Sequence, residues 1–366
     1  MNVEEYFSEY TSNTLAGTGN QTFFNAPTEK RTLAMYKPFA YGKFSYSFLY
    51  TNTVDSTYED GTVSKRNDLC GVWTIKSLSV FVADGIEQAT TKTNMIEKTR
   101  LTFDGEDIKT VTPGERFCTD PVFLKVKNGQ YICIETVFYG EKIPCHVENK
   151  IPTFSFESGI YRPDKYMPLP SMVGCDRKVK ARIGFWGDSI TQGIGCEEDS
   201  YAHYCSVAAN IVGKEYSFWN LGIGYARGND AATDGAWAYK AKRCDFVVVC
   251  FGTNDVIFVK DYDKTVAALE KIIALLKGNN IKVVLQTLPP FDFVGEDCKL
   301  WNNLNNYLLE KLAVKADGLF DQRALLCSDK GLNYTAYGDH PNETGCKIWG
   351  ENLGEYLKKV LKGCDL

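Results

Sequence analysis

Histidine is scarce in this 366-residue chain, occurring only at His146, His203 and His340. That scarcity argues against a multi-histidine metal site and leaves few side chains for acid–base chemistry near neutral pH. Long apolar runs are missing too: the longest, such as Phe246–Phe251, fall far short of the roughly 18 residues a membrane span needs. The opening MNVEEYFSEY is acidic where a secretory leader is basic and then apolar, so the expectation is a cytoplasmic protein with no membrane partner. There is no basic excess: 41 Lys and Arg face 46 Asp and Glu, a net charge of −5, which removes the usual electrostatic drive toward nucleic acid. No CxxC pair occurs among the thirteen cysteines, an odd number spread from Cys70 to Cys364. Buried free thiols in a reducing compartment are expected rather than zinc or redox sites. Neither a metal nor an organic cofactor is implied, and no internal repeat or low-complexity tract stands out.

What is present is the composition of a folded globular protein, 44% hydrophobic and 24% charged, long enough for two domains at about 150 residues each. Residues 1–35 are polar and Thr/Asn/Gly-rich and read as an irregular arm. From 36 to 160, alternating runs such as Phe44, Tyr46, Phe48 and Tyr50 predict the short strands of a sandwich or barrel. Asn128-Gly129 between Val122–Lys127 and Tyr131–Phe138 predicts a β-hairpin, because Asn-Gly accepts the positive φ angles of a two-residue turn. Pro163, Pro168, Pro170 and Gly174 mark a linker over 161–178. From 179 to 366 the pattern changes. Ile183–Trp186, Tyr216–Trp219, Phe246–Phe251 and Ile281–Leu288 are compact apolar runs typical of buried parallel strands. Between and after them, Lys264–Lys277 and Glu343–Lys362 carry apolar stripes at helical spacing. This alternation predicts a doubly wound α/β layer.

In such a sheet ligands bind outside the carboxyl ends of the strands. Three of those ends carry Gly187-Asp188-Ser189-Ile190-Thr191, Asn220-Leu221-Gly222-Ile223-Gly224 and Gly252-Thr253-Asn254-Asp255, and Asp339-His340-Pro341-Asn342 precedes the last helix. A serine on a strand-to-helix turn exposes its hydroxyl where unpaired helix N–H groups favour negative charge. It needs a base to become a nucleophile, and His340 is the histidine placed at that end of the sheet. Asn254 and backbone N–H groups near Gly224 are candidate oxyanion donors. Singly, each motif also reads as an ordinary turn; their joint occurrence, in order, at successive strand ends is the signal.

These four blocks resemble those of the SGNH (GDSL-like) hydrolases, over roughly residues 180–366. The resemblance implies a flavodoxin-like parallel sheet with flanking helices. It further implies Ser189 as nucleophile and backbone oxyanion donor, Asn254 as side-chain donor and His340 as general base. The family's esterases, lipases, thioesterases and carbohydrate deacetylases set the reaction type and leave the acyl acceptor open. Two positions depart from the family pattern. Tyr225 stands where many members place the glycine that completes the oxyanion hole, so Gly224 and Tyr225 are both candidates. Tyr337 stands where an aspartate three residues before the histidine is common. What orients the imidazole is then open among a backbone carbonyl, giving a Ser-His dyad, Asp339 through a bent loop, and Asp292 or Asp297.

Asp188 and Arg227 are further candidates for substrate contact, with a surface salt bridge an equal reading for Arg227. His203 reads as a packed or solvated helix residue, His146 as part of the β-rich half, and Trp186 and Trp219 as core. The run LTFDGEDIKTVTPGERFCTDPVFLKV is similar to the β-rich segment of some two-domain SGNH esterases, including jelly-roll carbohydrate deacetylases. The expectation is an esterase removing a short acyl group, acetyl first, from a small-molecule or oligosaccharide ester. The alternatives are a general short-chain carboxylesterase or lysophospholipase and, from another class, a non-catalytic carbohydrate-binding protein.

Overall fold

A computed structural model describes residues 1–58, 69–92, 95–290, 292–326, 334 and 340–363. The chain divides into one unit of residues 1–55 and 67–178 and another of residues 56–66 and 179–366.

The first unit contains twelve named strands: β1 (Thr11–Ser12), β2 (Gln21–Tyr36), β3 (Gly42–Thr51), β4 (Trp73–Ala83), β5 (Thr99–Leu101), β6 (Lys109–Val111), β7 (Arg116–Cys118), β8 (Val122–Val126), β9 (Tyr131–His146), β10 (Thr153–Glu157), β11 (Ile160–Pro163) and β12 (Met172–Cys175). They make two antiparallel sheets. One runs β1-β12-β3-β7 with β8 also on β3; the other runs β11-β10-β2-β9-β4-β5 with β6 also on β4. Leu33, Met35, Phe81 and Cys133 bury one face of the larger sheet, as period-2 side-chain alternation directs.

Three expectations fail here. Residues 1–35 are not an irregular arm. Asn2 and Glu5 close a capping box on a helix at Val3–Glu9, and β2 is a long strand between β9 and β10. Its first two-thirds are largely solvent-facing, and only Thr32–Tyr36 is continuously buried, so the polar composition masked it. The hairpin is not formed. Gly129 does take φ +84°, and Gln130 N–H donates to Lys127 O at 3.2 Å. Yet β8 pairs with β3 and β9 pairs with β2 and β4, so the turn carries the chain from one sheet to the other. Residues 161–178 are not a bare linker either, because β12 pairs with both β1 and β3. Pro163 lies in the edge strand β11, where its missing N–H breaks no ladder.

The second unit has five parallel strands: β13 (Arg182–Gly187), β14 (Ser217–Asn220), β15 (Phe246–Cys250), β16 (Lys282–Gln286) and β17 (Gly318–Phe320). Their order, β14-β13-β15-β16-β17, is the 2-1-3-4-5 order of doubly wound flavodoxin-like sheets. Strand direction of winding reverses between β13 and β15, and that switch point leaves a crevice at the strands' carboxyl ends. All of β15 is buried, each such valine adding about 1.5–3 kcal/mol of hydrophobic stabilisation. Helix Tyr262–Gly278 is capped by Asp261, whose side chain accepts from Lys264 N–H. The final helix Glu343–Gly363 packs on helix Tyr204–Val212. Glycines make that contact close: a Cβ at Gly350 would lie 2.5 Å from Val207 Cβ, and one at Gly354 would lie 2.6 Å from Ile211 Cβ. Among the described residues no helix is long and apolar enough to cross a membrane. Eleven described cysteines are free thiols, ten of them buried.

Candidate active site

Strand β13 ends at Gly187, and the chain turns at once into the short helix Ser189–Gln192. Asp188 caps that helix by accepting from Ile190 N–H at 3.0 Å. Ser189 is thereby held, half-buried, at the first helical position. His340 is presented just before the final helix, whose first turn is fixed by Gly345 N–H donating to Asn342 Oδ1 at 3.0 Å. The two meet: Ser189 Oγ and His340 Nε2 are 2.8 Å apart, within the reach general-base activation requires.

A buried chain of contacts supports this end of the sheet. Trp349 Nε1 donates to Gln286 Oε1 at 2.8 Å, and the Trp349 indole stacks on Tyr204 with ring centroids 4.0 Å apart. Tyr204 OH lies 2.8 Å from Thr191 Oγ1, two residues past Ser189. The helix that follows His340 is thus coupled through side chains to the turn that carries Ser189.

The loop after β14 approaches from the other side. Asn220 Nδ2 donates to Thr191 O at 2.9 Å, and Asn220 Oδ1 accepts from Gly222 N–H at 2.9 Å. A Cβ at Gly222 would lie 2.1 Å from Gln192 N, so only glycine lets the loop come this near. Beyond it Tyr225 adopts φ +61°, a left-handed conformation unusual for a bulky residue. Asn254, buried after β15, donates through Nδ2 to Ala226 O at 3.1 Å. An amide nitrogen carries two hydrogens, so this bond aims the group and keeps its second donor for a ligand. Asp255 accepts from Gly228 N–H at 2.9 Å. Burial pushes its carboxyl up to about 6 and that of Asp188 to about 7.

A serine on a strand-to-helix turn, a histidine in contact with it and an amide-bearing loop thus stand at the strand ends of a 2-1-3-4-5 sheet. The GDSL-like lipase/acylhydrolase family model matches residues 185–348. This stretch is a GDSL-like lipase/acylhydrolase domain. Among solved structures the chain is similar to the native aryl esterase of M. smegmatis at 18% identity, covering 49% of this chain and 99% of that one with a TM-score of 0.39. It is similar to a carbohydrate acetylesterase family member from Sinorhizobium meliloti at 15% identity, covering 50% and 99% with a TM-score of 0.41. A third similar structure is the acetyl xylan esterase AlAXEase, at 24% identity, covering 48% and 99% with a TM-score of 0.39. No curated protein matches the chain.

Within this stretch, the two further candidates for substrate contact, Asp188 and Arg227, are both engaged with the protein itself. Asp188 is 1% exposed and its carboxylate is used as a helix cap. Arg227 is not a surface ion pair: Nε meets Asp230 Oδ2 at 3.0 Å with both side chains largely buried, and Nη2 donates to Thr57 O at 3.3 Å. Asp297 is paired with Lys260 at 2.9 Å, and Asp292 is exposed. Asp339 and Tyr337 lie outside the described residues. His203 is the N-cap of helix Tyr204–Val212 rather than an interior helix residue, accepting from Ser206 N–H at 3.3 Å. His146 is buried at the end of β9 beside Gln21, and Trp186 and Trp219 are buried as expected.

Sequence reasoning singled out the motifs that hold Asn220 and Asp255 without giving either residue a role, and it missed Thr57. Asn220 had a readable signal, an asparagine at a strand end before glycine, where its side chain closes the turn. Thr57 had none. Its hydroxyl donates to Gly224 O across 167 residues of chain.

Proposed function

We propose that the protein is a serine esterase that removes a short acyl group, acetyl, from an esterified carbohydrate. The 2.8 Å approach of Ser189 Oγ to His340 Nε2 carries this reading. Ser189 Oγ attacks the ester carbonyl carbon while Nε2 takes its proton. The tetrahedral oxyanion is held by Ser189 N–H, the second Asn254 amide hydrogen and a backbone N–H at Gly224 or Tyr225. Collapse expels the alcohol, which receives the proton from His340 and leaves an acyl-serine. Water, deprotonated by the same imidazole, then releases the acid. A backbone carbonyl orients His340, making a Ser-His dyad. The carbohydrate assignment is supported by the all-β unit, the arrangement seen in the two-domain deacetylases that the sequence resembles.

The test is hydrolysis of a chromogenic acetyl ester by wild type, Ser189→Ala, His340→Ala and Asp339→Asn. Activity lost in the first two variants and largely kept in Asp339→Asn is expected. A loss in Asp339→Asn as deep as in His340→Ala sinks the dyad, and an inactive wild type favours a binding protein. Faster octanoyl than acetyl hydrolysis points to a lipase. Mass spectrometry of acetylated oligosaccharides before and after incubation reads the natural substrate class directly.

A further inference from the structure

Each arm of the oxyanion site is followed by a large ring left in solvent. Tyr225 comes directly after Gly224 and is 51% exposed; Phe258, four residues past Asn254, is 55% exposed. Their ring centroids are 6.4 Å apart. A third ring joins them from far along the chain, Tyr58, 6.1 Å from Tyr225. All three belong to the unit of residues 56–66 and 179–366.

Their positions are built. Thr57, beside Tyr58, donates its hydroxyl to Gly224 O and accepts from Arg227 Nη2, whose guanidinium is itself fixed by Asp230. Phe258 sits in a π-helical turn, Asp255–Val259, closed by Lys260 N–H donating to Asp255 O at 2.8 Å, a widened geometry often found at functional sites. Tyr225 holds its ring outward from a left-handed backbone, φ +61°. Glycine would occupy that conformation without strain. Strain and exposed aromatic surface both disfavour this arrangement in a free protein, and such features persist where a ligand uses them.

We infer that Tyr58, Tyr225 and Phe258 form a platform for the pyranose ring of the alcohol half of the ester, and so determine leaving-group specificity. This rests on the esterase reading above. The platform adjoins the candidate oxyanion donors through the backbone, Tyr225 following Gly224 and Phe258 lying one π-helical turn past Asn254. Three tilted rings offer apolar faces to the C–H face of a sugar, and the two tyrosine hydroxyls suit its rim of hydroxyl groups. An alkyl chain would instead call for an enclosed aliphatic groove.

The experiment compares kcat/KM for monoacetylated methyl β-D-glucopyranoside, 4-nitrophenyl acetate and ethyl acetate in wild type, Phe258→Ala and Tyr225→Gly. The ratio of the sugar ester to ethyl acetate is expected to fall about tenfold or more, with the change carried by KM. Tyr225→Gly suits the φ +61° backbone, so it reports even if Phe258→Ala folds poorly. An unchanged ratio overturns the platform, and a fall confined to 4-nitrophenyl acetate overturns the sugar as its occupant. Calorimetric binding of the same sugar ester to Ser189→Ala, lost when Phe258→Ala is added, separates the two readings: binding without hydrolysis by wild type keeps the platform and discards the esterase.

Discussion

Asn254 and Asp255 are neighbours with opposite duties. Asn254, the proposed oxyanion donor, is held by its bond to Ala226 O, and Asp255 ties down the segment that starts at Gly228. Asn254→Ala is expected to lower kcat on an acetyl ester by about 10²–10³ with little change in KM, read by steady-state kinetics. Asp255 and Asp188 also leave a mark on stability. Their folded-state carboxyls are raised by burial to about 6 and about 7, above the ~3.9 of an unfolded aspartate. Between those values the folded chain binds protons the unfolded chain has released. Their contribution is therefore complete below about pH 4 and is lost as pH rises through 6 to 7. Thermal denaturation from pH 5 to 8 should show a shallower fall in Tm for Asp255→Asn than for wild type; parallel curves would contradict the assignment.

At the scale of elements, the final helix bears the histidine at its entrance and the tightest helix contact in its middle. A leucine at Gly354 would drive into Ile211 and Ala208, overpacking that costs about 1–3 kcal/mol. Gly354→Leu should lower Tm and also kcat, since the displaced helix carries His340 with it; circular dichroism melting and ester hydrolysis check the two effects. Legibility followed periodicity at this scale. Helix Tyr262–Gly278 and strands β13 to β16 lay within a residue or two of the expected ranges, because each buries a continuous stripe or run. The strand β2 did not, since most of its length faces water, and Asn128-Gly129 predicted a turn correctly while saying nothing about which sheet each arm would join. Strand pairing is a non-local choice, and a two-residue turn motif encodes only the local one. Ser189, Asn254 and His340 were readable because each follows or precedes an element whose period was clear. The duties of Arg227 and Asp188 were not legible because a charged residue at a strand end looks the same in sequence whether it faces substrate or is bound by its own chain.

For the whole molecule, the catalytic unit is not one stretch of sequence: it borrows residues 56–66 from the midst of the β-rich half. Thr57→Val in the full chain removes the hydroxyl that Gly224 O accepts while keeping the side chain's shape. Loss of one such bond, worth about 1 kcal/mol, should lower kcat/KM roughly fivefold, with Tm of the β-rich unit unmoved; an unaltered rate would show that the loop holds its form unaided.

That borrowing also sets an order of events on the ribosome. Synthesis runs at about 5–20 residues per second, so the 167 residues separating Thr57 from Gly224 take on the order of 8–35 s to emerge. The β-rich half can assemble around its own strands during that interval, whereas Ser56–Tyr58 must wait, already made, for a loop that does not yet exist. Chaperone or protease access to this short segment should therefore be greatest in nascent chains and vanish on completion of the parallel sheet.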